Sequence, residues 1–384
     1  MRYAFFHFIF ISLFVNASFA QAALSNDAQI SLLTCDPGSE LYSTFGHTAI
    51  RVKDKKNGMD VAFNYGIFDF DTPGFYRKFL RGKLDYMLGA YPYDGFMREY
   101  RRDKRSVTEQ ILDLDSLQKE QVFAFLVDNA KEENRFYKYD FFFDNCSTRP
   151  RDVFQNILGL TLDKEPSEKT FRDQLDEFLP GLPWSDFGID LVIGAVADQK
   201  ASPFHQTFLP DYLMNALDNS DGLVANKSFI IDHSEERIKR FKQPIFTPSL
   251  VFGVLLLLEL VLVFLYRTKK IKWIQNYDWA WFWVMGLSAL LLIFMWFGTD
   301  HIATKQNWNL LWISPLYMVY LLAKNDKLKK LSLVTLMAST LLSLFFWPLI
   351  PQSFHHAFLP IMLIMMIKLI RSWHVLKSKF EMKA

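Results

Sequence analysis

The last third of the chain holds five apolar stretches, at 249–266, 279–297, 308–323, 331–350 and 354–370. Four of them come close to the roughly 20 residues a helix needs to cross a hydrocarbon core, and the flanks of the shorter third one support it. Basic segments follow the first ("YRTKKIK"), the third ("KNDKLKK") and the fifth ("RSWHVLKSK"), whereas "GTDHIATKQN" and "PQSFHH" follow the second and fourth. Lysine and arginine mark the cytoplasmic side, so five crossings place everything before residue 249 outside the cytoplasm. The opening segment "MRYAFFHFIFISLFVNASFAQA" agrees. Arg2, an apolar run and small residues with Ala20 and Ala22 in an A-x-A arrangement form the pattern of a secretory signal peptide over 1–22. An uncleaved anchor is the alternative, and it exports the downstream domain equally.

The chain thus divides into a signal peptide (1–22), an exported domain (23–241), a linker with two prolines (242–248), five transmembrane helices (249–372) and a cytoplasmic tail (373–384). A formal net charge of +2 points neither to nucleic acid nor to an acidic tail. The 38 phenylalanines fit lipid contact and a thick aromatic core equally well.

The exported domain has an α+β pattern. "ISLLTC" is a short apolar run, and "HTAIRVKD" and "DVAFNYGIFDF" form a predicted hairpin with Asn57-Gly58 near its tip. "GFYRKFLRGKLDYML" has a helical pattern. Asp115 suits the N-cap of an amphipathic helix in "DSLQKEQVFAFLVDNAKEEN". "FYKYDFFFD" is strand or irregular, "STRPRDVFQNIL" opens another helix, and further helical segments are expected around 168–178, 190–198 and 211–217.

Cys35 and Cys146 are the two cysteines, and in an exported protein a disulfide is the first reading. The surroundings of Cys146 support a second one. Pro150 followed by "DVFQNIL" places a helix start almost at Cys146, because proline is tolerated in a first turn. Helix amino termini carry partial positive charge and free N–H groups, which stabilise a thiolate and suit an oxyanion. Arg149 and Arg151 add positive charge nearby. A thiol nucleophile needs a base, and the exported domain offers His47, His205 and His233. His47 sits in "STFGHTAIRV", where Gly46 permits close backbone approach; a histidine in a strand also has an ordinary structural reading. No compact His/Cys/Asp spacing of the zinc kind is present, so no metal is expected.

A histidine on an early hairpin, followed much later by a cysteine opening a helix, resembles the circularly permuted branch of the papain-like thiol superfamily, which includes lecithin:retinol-acyltransferase-like enzymes. That resemblance implies an acyl chain carried as a thioester. It also implies a polar group on the neighbouring strand to orient the imidazole, and "FNYGIFDF" offers Asn64 and Asp69. More specifically, "LLTCDPGSELYSTFGHTAIRV", "FNYGIFDF", "FLRGKLDYML", "YDFFFDNCSTRPRD" and "LPWSDFGIDLVIGA" together look like the Lnb-type lipoprotein N-acyltransferases. The likeness covers most of 31–217 and implies a permuted papain-like (NlpC/P60-like) periplasmic domain ahead of the bundle of five transmembrane helices, in the bacterial inner membrane. It also implies Cys146 as nucleophile and His47 as base, a phospholipid as acyl donor and a lipoprotein as acceptor, with no cofactor and no nucleic acid.

Phospholipid head groups need cations. Arg98, Arg101, Arg102, Lys104 and Arg105 of "MREYRRDKRS" and Arg77 and Arg81 of "YRKFLRGK", with Arg149 and Arg151, are the candidates, against the reading of a solvated face. Phe141, Phe142 and Phe143 are either a dry wall beside the thiol or core. Two alternatives to acyl transfer stand. One is a membrane-anchored thiol hydrolase, a phospholipase or cell-wall amidase. The other is a non-enzymatic assembly module with Cys35 bridged to Cys146.

Overall fold

The computed structural model describes residues 23–268 and 273–381, so the expected signal peptide lies outside the described residues. The exported part opens with three consecutive antiparallel strands, β1 (Gln29–Cys35), β2 (His47–Asp54) and β3 (Met59–Ile67). Helix α1 (Phe75–Leu80), β4 (Asp85–Pro92), α2 (Tyr93–Arg102), β5 (Val107–Leu112), α3 (Ser116–Asn129), β6 (Phe136–Lys138) and α4 (Thr148–Leu158) come next. The domain ends with α5 (Phe171–Asp176), α6 (Pro183–Val192), α7 (Pro203–Gln206), α8 (Pro210–Asp218), β7 (Val224–Ile231) and α9 (Ser234–Arg240). All seven strands form one antiparallel sheet in the order β6-β4-β3-β2-β1-β5-β7.

Both faces of the central strands are covered, which is why every residue of "ISLLTC" is buried and its apolar residues do not keep to one face. Ile30, Leu32, Ile50, Val52 and Phe63 pack against Val122 and Leu126 of α3, Phe154 of α4 and Leu213 of α8. Leu33, Cys35, Ala49 and Ala62 point the other way, onto Phe96, Met97 and Tyr100 of α2. The predicted hairpin and the predicted helix after Asp115 are both present. Asp115 and Gln118 close a capping box that satisfies two otherwise orphaned N–H groups.

The expected helix over "GFYRKFLRGKLDYML" is corrected. It stops at Leu80, and "DYML" is the start of β4, paired with β3 and β6. Strands β5 and β7 were not anticipated. Their sequences, "VTEQIL" and "VANKSFII", mix polar and apolar residues, and β7 is an exposed edge whose place comes from pairing with β5.

Beyond Arg240 come α10 (Pro248–Thr268), α11 (Trp273–Phe297), α12 (Leu316–Leu322), α13 (Asp326–Phe345) and α14 (Phe358–Glu381). Among the described residues, four of these are long and apolar enough to cross a membrane: α10, α11, α13 and α14. The third of the five expected stretches is interrupted in the structure. There a single 3₁₀ turn (Trp308–Leu311) and the seven-residue α12 are separated by Ser314-Pro315, since proline supplies no N–H to carry a helix through. Trp312, Ile313 and Tyr317 of this broken piece are buried among α11, α13 and α14, the setting that irregular backbone needs at membrane depth.

The two parts are joined by polar contacts at the carboxy end of α6. Its last carbonyls lack partners within the helix. Asn307 donates to the carbonyls of Leu191 and Val192 (2.9 Å each), Asn309 to that of Asp190 (3.0 Å) and Gln352 to that of Ile193 (3.2 Å). These loops of the helical part therefore finish a helix of the sheet domain.

Candidate active site

Three elements converge at one end of the sheet. His47 is the first residue of β2 and lies directly across from Cys35 of β1. Asn64 of β3 is at 2.5 Å from the imidazole, Oδ1 to Nε2. A carbonyl oxygen only accepts, so Nε2 carries the proton and Nδ1 keeps its lone pair. Cys146 stands just ahead of α4. Its carbonyl accepts from the Thr48 hydroxyl, which ties the turn bearing the thiol to the strand bearing the histidine.

Gly66 shows how tightly these groups are gathered. With φ at +94° it occupies a region that side chains rarely adopt, next to a β-bulge between Asn64 and Ile67 that re-aims the strand. A Cβ placed there would stand 3.4 Å from the Cβ of Cys146 and 3.8 Å from Cε1 of His47. Gly66→Ala is therefore expected to cost about 1–3 kcal/mol of stability through backbone strain. Activity should fall further than that loss explains, because the methyl group would touch both the cysteine and the imidazole. Thermal unfolding alongside turnover would check this, and a variant with wild-type values in both would contradict it.

The electrostatics differ from the expectation of a pre-ionised thiol. Burial pushes the Cys146 thiol up to about 11, although the backbone N–H groups of Thr48 and of Cys146 itself face the sulfur and pull the other way, as does the more distant Arg105. The N–H groups at the start of α4 do not serve the sulfur: Asn145 Oδ1 accepts from Ser147 (2.7 Å) and Thr148 (2.9 Å). Burial likewise pushes His47 down to about 4, against the Asn64 hydrogen bond that favours its charged form. The resting pair is neutral thiol and neutral imidazole.

Other expected residues fall elsewhere. Asp69 is exposed and accepts from the N–H of Asp71 in its own turn (2.9 Å), so Asn64 is the strand residue that meets the imidazole. Arg149 is held by Asp144 and lies over the Tyr137 ring; Arg151 is buried against Asp152 and stacks on Phe204. Arg98, Arg101 and Arg102 are exposed on α2, and Arg81 is exposed just past α1. Phe142 is core, packed with Phe171 and Phe208, while Phe143 is partly exposed. Cys35 and Cys146 are both free thiols, so the bridged alternative is not formed; Cys35 is fully buried and pushed up to about 12.

Arg105, grouped in the sequence with the head-group cations, belongs instead with the thiol and the imidazole. Its buried guanidinium donates to the Asp36 carbonyl (2.8 Å), leaves Nη2 unpartnered and acts electrostatically on Cys35, His47 and Cys146 together. In "RRDKR" it is one cation among several, and only the fold distinguishes it.

A cavity of about 730 Å³ lies away from the thiol, between the sheet domain and the loop before α14. Its wall includes Asp176, Asp186 and Asp190, whose carboxylates approach within 4.8 Å of one another, a grouping that sequence spacing did not reveal. Burial, reinforced by the neighbouring carboxylates, pushes Asp176 up to about 7. Asp190 is pushed up to about 6 by burial, with Arg172 opposing.

Two family descriptions match the chain: the Lnb N-terminal periplasmic domain over residues 16–176 and the Lnb transmembrane domain over residues 240–379. The first contains Cys146, His47 and Asn64; the second contains the four long apolar spans found among the described residues. No curated protein and no solved structure matches the chain.

Proposed function

Because the chain belongs to the Lnb family, with a periplasmic domain ahead of a transmembrane one, we propose that it transfers an acyl chain from a phospholipid, through a thioester on Cys146, to the α-amino group of a lipoprotein's lipid-modified first cysteine. The observation that carries this reading is the gathering of Cys146, His47 and Asn64 around Gly66 on the exported side of a membrane-embedded chain.

In the first half-reaction Nδ1 of His47 takes the thiol proton as sulfur attacks the ester carbonyl. The N–H groups of Thr48 and Cys146, which face the sulfur, are placed to receive the oxyanion. The carbon–oxygen ester bond breaks, and the lysophospholipid leaves with the proton that the imidazole carried. In the second half-reaction the lipoprotein amine attacks the thioester carbonyl, the carbon–sulfur bond breaks, and the amine's proton returns through His47 to sulfur. Neither half needs a metal or an external energy source. Asn64 is a positioning residue, fixing the tautomer that leaves Nδ1 free. The broken segment through α12 serves in this reading as the fifth crossing, because the basic segments ahead of α11 and α13 put both starts on the cytoplasmic side and the chain has to return there after α11.

Mass analysis of protein incubated with phospholipid vesicles tests the proposal. An acyl mass should sit on the peptide holding Cys146, and adding an acceptor lipoprotein should move it to the lipoprotein's amino terminus. Loss of the adduct to water at the same rate with or without acceptor would favour the hydrolase.

The His47 shift adds a pH prediction. Protonation removes the base, and burial holds that event near 4 instead of 6.5. Single-turnover acylation is therefore expected to stay level as pH falls from about 8 to about 5. The same shift bears on stability: between 6.5 and about 4 the unfolded chain binds a proton that folded His47 refuses, so this contribution is lost as pH falls through that window. An acid limb centred near 6.5 would contradict this.

A further inference from the structure

The segment between β3 and β4 presents an apolar face that no other described residue covers. Phe70, Tyr76, Phe79 and Leu80 are exposed, Tyr76 by 81%, whereas Phe75 alone of α1 turns inward. Arg77, Lys78 and Arg81 accompany them within the same short stretch. A surface helix ordinarily turns such residues toward the core, so aromatics outward with cations beside them need another partner.

The location of α1 identifies that partner. The Phe79 carbonyl is 3.2 Å from Nε2 of His301, and the Arg81 carbonyl accepts from the Asp300 N–H at 2.9 Å. Asp300 and His301 belong to the loop immediately after α11, and Phe297, the last residue of that membrane helix, is itself 72% exposed. The open face of α1 thus continues the lipid-facing surface of α11 at the level where α11 ends. From there a row of ring contacts runs inward: Phe70 to Phe75 (4.9 Å), Phe75 to Phe68 (5.8 Å), Phe68 to Tyr86 (5.3 Å) and Tyr86 to Tyr139 (4.4 Å). Tyr139 opens the turn that carries Cys146.

We propose that α1 is an interfacial anchor, inserting Tyr76, Phe79 and Leu80 among the acyl chains of the periplasmic leaflet while Arg77, Lys78 and Arg81 meet lipid phosphates. Aromatic rings beside cations suit that boundary, where the rings are buried and the charged ends reach water and phosphate. The insertion stands on this surface alone; use of the aromatic row as an acyl-chain path rests on the acyl-transfer reading.

The test uses full-length protein with Cys35→Ala and Cys146→Ser, carrying one spin label at Tyr76→Cys or Phe79→Cys. It is reconstituted in vesicles of phosphatidylethanolamine and phosphatidylglycerol. Collision with oxygen relative to a water-soluble nickel chelate should be at least about threefold higher at both positions than at Leu117→Cys on α3, as for a site within the acyl region. Water-like collision at both positions overturns the proposal. Low collision with both reagents also overturns it, since it marks a face covered by protein. This protein lacks the proposed nucleophile, so the depth reading is independent of the chemistry. In the otherwise unaltered chain, Tyr76→Asp with Phe79→Asp should slow acylation from vesicle phospholipid about tenfold, the loss of roughly one buried ring. An unchanged rate overturns the acyl-chain path, whereas a parent protein that never acylates refutes the acyl-transfer reading and leaves the depth result standing.

Discussion

Cys146→Ala is expected to lower acyl transfer by about 10⁴-fold or more, with the fold intact. Removing a nucleophile removes the covalent intermediate, not one contribution among several. The substitution deletes a single sulfur atom, so it leaves little cavity to destabilise the domain. His47→Ala should fall to a similar floor, and the double variant should be no worse than either single one, because the pair acts as a unit. Asn64→Ala should cost about 10²-fold, since the imidazole then loses both the hydrogen bond that favours its charged form and the partner that fixes its tautomer. Asn64→Asp separates positioning from mere packing: a carboxylate at the same place would favour the imidazolium and move the acid limb of the pH profile upward from its position near 4. Asp69→Ala, at an exposed residue bonded only within its own turn, should stay within about twofold of the parent. The readouts are adduct mass on the enzyme and amino-terminal mass of the lipoprotein, with melting temperature as the control. Retained turnover in Cys146→Ala would sink the thioester mechanism.

The range of the interactions involved decides which parts of this site are legible in the sequence and which are hidden. The hairpin, the helix after Asp115 and the helix after Cys146 are local, written in turn residues, caps and periodicity, and each stands where the pattern put it. Asn64 and Asp69 were indistinguishable because a bulge decides which side chain reaches the histidine, and bulges have little local signature. The thiol's environment is hidden for a similar reason. The helix start was legible, but Asn145 occupying its N–H groups and the mass of protein around the sulfur are tertiary facts. Arg105 was lost in a run of cations, and its burial comes from β5 pairing with β1. In the helical part, hydropathy found the apolar stretches, but a break at Ser314-Pro315 inside one of them is invisible to a measure that averages over a window.

Lys368→Met is expected to destabilise the helical part by about 3–5 kcal/mol, because it leaves buried acid without its cation. Lys368 and Arg371 of α14 meet Glu259 of α10 and Asp278 of α11, and all four side chains are at most about 5% exposed. Lys368 Nζ lies 2.9 Å from Glu259 and 3.2 Å from Asp278; Arg371 Nε donates to Asp278 at 2.7 Å and its Nη2 also binds Glu259. Two acids and two bases make the group formally neutral, so its cost in an apolar setting is tolerable only while it is whole. A cycle makes the point testable. Glu259→Gln alone should also destabilise, by stranding a cation, whereas Lys368→Met with Glu259→Gln leaves the neutral pair Asp278–Arg371 and should recover much of either loss. Unfolding in detergent micelles measures all three, and single variants within about 1 kcal/mol of the parent would show that the group does not hold the helices together. The effect should reach the sheet domain as well. The loop entering α14 carries His355, 3.4 Å from Asp186, and Gln352, which donates to the end of α6. A loosened α14 therefore frees the contact on which the periplasmic domain sits, and the single variants should lose acylation in step with stability while the double variant regains both.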